Sequence, residues 1–291
     1  MRLILILLLA VASGAAQSSL RRQVLDLARN AQGKVSASCW LANSNLNCDL
    51  NAHSHPPMQS VFKLPLAIAV LHQVEQGKYT LDQTVRFEPS DRILPQAYSP
   101  LWNKYPQANV AVPLRELLRL SVSLSDNVAA DILLRLAGGP AAVNRYIGSL
   151  GIRGFHLVDN ENALHHQREL QYRNWFEPAG AVQLLRMLTE ESPLNEADTR
   201  FLLGVMAAPA NKTRIGGLLP PGTPVAHKSG TSDVDNGLAH ATNDIGLITL
   251  PDGRKLAVAV FVTDSRADEA TRYRIMAQVA DAAYQAATRK P

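Results

Sequence analysis

The sequence predicts an α+β fold in which a sheet domain, built from both ends of the chain, holds an inserted all-helical domain. Three observations predict it. Alternating, β-branched segments occur near the two ends, at 34–52 and 224–263, while helical periods dominate the middle. The chain also begins and ends with amphipathic stretches suited to cover one face of a sheet. No internal repeat, low-complexity tract or linker breaks this order.

The elements follow in sequence. Arg2 precedes an apolar run at 3–12 and the small residues Ser13, Gly14, Ala15 and Ala16. This is the pattern of a secretory signal peptide, 1–16, cut after Ala16; the run is too short to span a membrane. No later stretch is long enough to anchor the chain, and no cysteine follows the run to carry lipid. A soluble, exported protein of a bacterial periplasm is therefore expected. Residues 17–30 read as an amphipathic helix. Segments 34–42 and 46–52 alternate about a polar turn and predict a hairpin. With the turn centred between Asn43 and Ser44, Cys39 and Cys48 face each other, and export permits a disulfide. Free thiols are the alternative, because direct cross-strand bridges are geometrically demanding.

Helices are predicted at 64–76, ended by Gly77, then 113–122, 128–137 ended by Gly138 and Gly139, 140–150, 178–188 and 196–206. Pro65 fits the first of these only if it lies within the first turn. Strands follow at 224–231, 244–250 and 256–263, the last two joined by a Pro251-Asp252-Gly253 turn. A final helix at 270–289 repeats apolar residues at Ile275, Val279, Ala282 and Ala286. Residues 17–58 and 210–291 would then form a sheet of about five antiparallel strands with terminal helices on one face, and 59–209 the helical domain. The formal charge of +4 comes with both signs mixed and no basic run interleaved with aromatics, which argues against a nucleic-acid partner.

Three motifs carry chemistry. Ser60-Val61-Phe62-Lys63 places a hydroxyl at the start of a strongly apolar helix, where the dipole favours developing negative charge. Lys63, three residues on, shares its face and is poorly placed for a solvated role, as suits a base. Ser125-Asp126-Asn127 precedes another apolar helix and by itself reads equally well as a cap. Lys228-Ser229-Gly230-Thr231 lies on a strand, whose edge can pair with an extended amide.

In this order, with Glu161 of Glu161-Asn162-Ala163-Leu164 between the second and third, the motifs resemble those of class A serine β-lactamases. Gln59 to Leu64, Asn160-Glu161, His165, Gln171 to Trp175 and Ala241 to Gly246 resemble the PER-type extended-spectrum group. The resemblance covers nearly the whole chain after the leader and implies a site at the junction of the two domains. It implies Ser60 as nucleophile, Lys63 as base, Ser125 as proton relay to the leaving nitrogen, and Lys228 as cation for Ser125 and the substrate carboxylate. Glu161 would activate the water that releases the acyl group, and the backbone N–H groups of Ser60 and Thr231 would form the oxyanion hole. Asn127, Arg214, Ser229, Gly230, Thr231 and Ser232 would bind substrate, with Tyr98 stacking at the pocket mouth and Asp126 bracing its turn.

The resemblance calls for no metal or cofactor, and for a monomer acting on small β-lactams. Two departures stand out. His165 replaces an asparagine that positions water, and Asp159 and Asn174 replace an Arg–Asp clamp, so Asp159 is expected to pair with Arg173. The competing function is a penicillin-binding or β-lactam-sensing protein that acylates without turnover.

Overall fold

The structure, a computed structural model, describes residues 19–93, 97–209 and 213–289. The predicted signal peptide, residues 1–16, lies outside the described residues. Helix α1 (residues 19–28) leads through a 3-10 turn into β1 (Lys34–Leu41), and a second 3-10 turn, Gln59–Phe62, opens α2 (Lys63–Glu75). There follow β2 (Thr84–Phe87), α3 (Pro100–Lys104), β3 (Val110–Pro113), α4 (Leu114–Ser123), α5 (Asn127–Ala137) and α6 (Pro140–Ser149). Next come β4 (Phe155–His156), α7 (Glu161–His166), β5 (Trp175–Phe176), α8 (Pro178–Glu190) and α9 (Glu196–Ala207). The chain returns to strands β6 (Val225–Thr231), β7 (Val234–Asp235), β8 (Leu238–Thr249) and β9 (Lys255–Ser265), and closes on α10 (Glu269–Thr288).

Period-two alternation in β9 explains how the interior divides. Val258, Val260 and Val262 point to one face and join Leu20, Val24, Ile275 and Val279 of the terminal helices in one core. Ala257, Ala259 and Phe261 point to the other and join a larger core with α2, α4, α5 and α8. A strand buried on both faces has to be apolar throughout, which is why β9 reads as a nearly unbroken run.

The main sheet is antiparallel, in order β1-β9-β8-β6, with β7 paired to β8 as the fifth strand. Strand β6 is therefore an edge, and its free side faces the site.

Two expectations need correction. Segment 46–52 is not a strand: on the outer edge of β1 a single bridge pairs Leu50 with Ala37, while the other edge of β1 carries a continuous ladder with β9. Local polar contacts compete with pairing there. Asn47 accepts the Asp49 N–H at 2.8 Å, and Asn51 takes a left-handed φ of 48°. The predicted register survives at that one bridge, and Cys39 and Cys48 are joined with Cα atoms 5.6 Å apart. The middle of the chain also carries two small ribbons, β2–β3 and β4–β5, too short to leave a periodic signal. Pro65 is the third residue of α2, where its missing N–H has no intrahelical partner to lose.

Candidate active site

The turn Gln59–Phe62, with Gln59 at φ 47°, sets Ser60 just ahead of α2 and Lys63 at its first residue. Lys63 is fully buried, and all three of its ammonium donors are used. They reach Glu161 Oε1 at 2.9 Å, the Ser125 carbonyl at 2.8 Å and Asn127 Oδ1 at 2.5 Å. The Ser60 hydroxyl lies 3.5 Å from the same Glu161 oxygen.

Ser125 is held at φ 58°, a strained position for a residue with a side chain. The strain is maintained by buried Asp126, which accepts hydrogen bonds from the Ser99 hydroxyl and the backbone N–H groups of Leu101 and Ala129. Asp126 thus both caps α5 and braces the turn. Lys228 donates to Ser125 Oγ at 3.0 Å. Burial, and then the Lys63 charge, hold the Lys228 amine well below its ordinary pKa, against the opposing charges of Asp244 and Glu161.

Gly230 is required by close approach. A β-carbon there would lie 2.5 Å from the Met58 carbonyl oxygen and 3.1 Å from Ser60 N, so β6 packs backbone to backbone on the turn that carries Ser60. Asn243, on neighbouring β8, donates to the carbonyls of Pro57 and Met58 and holds that turn from beneath. Arg214 donates to the carbonyls of Gly230 and Asn243, to Thr231 Oγ1 at 2.5 Å and to the Tyr273 hydroxyl at 3.0 Å.

Glu161 is the first residue of α7, whose N-cap Asn160 accepts the Ala163 N–H. The two Asp131 carboxylate oxygens take the N–H groups of Glu161 and Asn162 at 2.8 and 2.9 Å. Burial, and then the Glu161 charge, push the Asp131 carboxyl up to about 7. His165 Nδ1 donates to the Glu161 carbonyl at 2.7 Å, which settles its tautomer. Arg173 pairs with Asp159 at 3.2 Å, as the sequence suggested. Asn174 then clamps the loop's neck without charge: its side chain accepts from the N–H groups of Val158 and Asp159 and donates to the Asp159 carbonyl.

A cavity of about 420 Å³ gathers Ser60, Tyr98, Asn127, Glu161, His165, Thr231 and Ser232. Beside it a smaller one of about 190 Å³ gathers Ser125, Arg214, Lys228 and Ser229. Lys63 and Gly230 sit behind these walls through the contacts above. All of the predicted site residues are thus brought to one place. A buried lysine and glutamate beside a serine, with a second lysine–serine pair across a cleft, can activate a hydroxyl, deliver a proton and hold an anion.

The family model of the β-lactamase enzyme family matches residues 19–287. The chain is 42% identical over 267 residues to the extended-spectrum β-lactamase PER-1 of Pseudomonas aeruginosa, covering 91% of this chain and 86% of that protein. It also matches the structure of a class A β-lactamase from Bacteroides cellulosilyticus at 30% identity and a TM-score of 0.88, over 94% of this chain and 98% of that one.

The chain belongs to the class A β-lactamases.

The crystal structure of the TLA-1 extended-spectrum β-lactamase is similarly close, with a TM-score of 0.91 and 34% identity over 94% of this chain and all of the other. In this β-lactamase, sequence reasoning missed Asp131, Tyr273 and the Gln59–Gln171 side-chain bond of 2.7 Å. Asp131 had a signal, since it falls one helical turn after Asn127 and so on the same face. The Gln59–Gln171 contact spans 112 residues and leaves no local trace.

Proposed function

We propose that this chain hydrolyses penicillins and cephalosporins through an acyl-enzyme on Ser60 and so confers resistance to them. The Ser60 oxygen attacks the lactam carbonyl carbon as its proton passes to the Lys63–Glu161 pair. The backbone N–H groups of Ser60 and Thr231 receive the oxyanion, where loss of one donor typically costs roughly 100- to 1,000-fold. The ring C–N bond breaks, and Ser125, next to Lys228, delivers its proton to the nitrogen and regains one from the Lys63–Glu161 pair, which returns the pair to its starting charge. Lys228, Arg214, Ser229 and Thr231 take the substrate carboxylate, Asn127 takes the acyl-amide, and the β6 edge pairs with that amide as an added strand. Glu161 then takes a proton from a water that attacks the ester carbonyl carbon, and as the C–O bond to Ser60 breaks that proton is returned to the Ser60 oxygen through the Lys63–Glu161 pair.

One observation carries this reading over acylation without turnover: Glu161 stands 3.5 Å from Ser60 Oγ, on a loop held by its own backbone clamp. A protein that only acylates does not need a carboxylate held where it can also activate a water on the resulting ester. Export to the periplasm after cleavage at residue 16, action as a monomer without nucleic acid, and the division into 17–58 with 210–291 against 59–209 belong to the same proposal. No helix among the described residues is long and apolar enough to cross a membrane, and the disulfide fits an oxidising compartment.

Two variants test the mechanism. Ser60→Ala should abolish both hydrolysis and covalent labelling by a penicillin, and turnover within a few-fold of wild type would sink the serine mechanism. Glu161→Ala should accumulate an adduct on Ser60 visible by mass spectrometry. Turnover without accumulation would move the deacylating base elsewhere.

A further inference from the structure

We propose that His240 is a specificity-determining residue of this β-lactamase, acting through Tyr172 to fix the spacing between the loop that carries Glu161 and the sheet. The inference rests on the hydrolytic reading above. Tyr172 lies in the 3-10 turn Arg168–Arg173, the later part of that loop. Its hydroxyl is 2.6 Å from His240 Nδ1 on β8 and donates at 2.5 Å to Asp264 Oδ1 on β9. A phenol has one proton. Because Tyr172 gives it to Asp264, the proton between His240 and Tyr172 belongs to Nδ1, and the donors run in one direction from His240 to Tyr172 to Asp264. Partial loss of water around the hydroxyl, and then the Asp264 hydrogen bond and charge, raise the phenol of the otherwise exposed Tyr172 above its ordinary range, so it stays a donor.

The sheet half of this clamp is rigid. Asp264 sits at φ 50°, and its neighbours are tied to the turn before β1: the Ser265 hydroxyl donates to the Ala31 carbonyl and the Arg266 N–H to that of Gln32. Gly33 packs so closely beneath that a β-carbon would lie 2.7 Å from the Asp264 carbonyl oxygen. The loop is therefore the half that can yield.

His240 also lines the 420 Å³ cavity, together with Gln171 and Arg168 of the loop. The loop wall is fastened to the opposite wall by the Gln59–Gln171 bond, by an Arg168–Asp233 pair at 3.6 Å and by the clamp. The Arg168–Asp233 pair is exposed on both sides, and such pairs hold little. Spacing thus depends on the glutamine pair near Ser60 and on His240 at the sheet. A small acyl side chain does not test that spacing, whereas a bulky one has to fit within it.

The test compares benzylpenicillin with the oxyimino cephalosporin ceftazidime on wild type, His240→Ala, His240→Asn and Tyr172→Phe. His240→Ala should lower the cephalosporin KM about threefold to tenfold, the scale of one hydrogen bond, with penicillin kcat within about twofold of wild type. His240→Asn, whose amide can donate from nearly the Nδ1 position, should return toward wild type. Tyr172→Phe should reproduce the alanine shift, and the double variant should add little to it. A cephalosporin KM that rises or holds still, or an equal change on both substrates, overturns the proposal. Wild type that hydrolyses neither compound overturns the hydrolytic reading itself, which is a separate and visible outcome.

Discussion

Asp131→Asn should change how the stability of this β-lactamase depends on pH. The Asp131 carboxylate receives two backbone N–H groups, yet burial and then the Glu161 charge raise its pKa from 3.8 to about 7. At about 1.4 kcal/mol per unit, ionising it costs about 4 kcal/mol more in the fold than in the unfolded chain. The unfolded aspartate loses its proton near 3.8, whereas the folded one keeps it to about 7. Between those values the folded state binds more protons, so stability is highest below the lower one and falls as pH rises through the upper. About 3 kcal/mol of the fall lies between about pH 5 and about pH 8. Asparagine does not titrate there. It keeps one acceptor but turns an amide toward the second N–H, a fixed cost of about 1–3 kcal/mol. Urea unfolding at the two pH values should therefore show the variant less stable at the lower pH and gaining on wild type by about 3 kcal/mol at the higher. A stability difference that stays the same within about 0.5 kcal/mol would show Asp131 already ionised in the fold at the lower pH, and would refute the argument from burial.

Gly230→Ala should cost about 100-fold or more in kcat/KM, because a β-carbon 2.5 Å from the Met58 carbonyl pushes β6 away from Ser60 and misplaces an oxyanion donor. Near-normal rates would show that the turn moves aside freely. Replacing Cys39 and Cys48 together by serine should lower stability by about 2–3 kcal/mol with activity unchanged at room temperature, since the closed loop is short and carries no site residue. Calorimetry and a penicillin assay on one sample check both halves. Oxyimino cephalosporins should be hydrolysed with kcat/KM within about tenfold of a simple penicillin, a gap of at most about 1.4 kcal/mol, because the loop's neck is clamped by the neutral Asn174 side chain, with only the half-exposed Arg173 paired to Asp159 beside it. A thousandfold disadvantage would mean that this clamp closes the pocket as tightly as a charged one.

The sequence by itself determined the longer helices, the β1, β6 and β9 strands, the second half of β8 and the motif residues, because each rests on near neighbours, whereas the short helices α3 and α7 left no period long enough to read. Three-residue spacing puts Lys63 on the face of Ser60, alternation gives β9 its two apolar faces, and turn residues mark Gly77 and Gly138. It also pointed to the Arg173–Asp159 pair, whose partners flank one loop. What it misjudged or passed over depended on competition or distance. Segment 46–52 has the pattern of a strand, but the Asn47 side chain takes the Asp49 N–H and Asn51 adopts a left-handed φ, so pairing on the outer edge of β1 stops at the single Ala37–Leu50 bridge. Asp131 reaches Glu161 across 30 residues, Asn243 reaches Pro57 across 186, and Gly230 is needed because of a carbonyl at Met58. No local preference encodes these contacts. Only the tertiary structure decided them, since the energy of a buried donor, a close backbone approach or a shifted carboxyl exists only once distant segments have excluded water from the space between them.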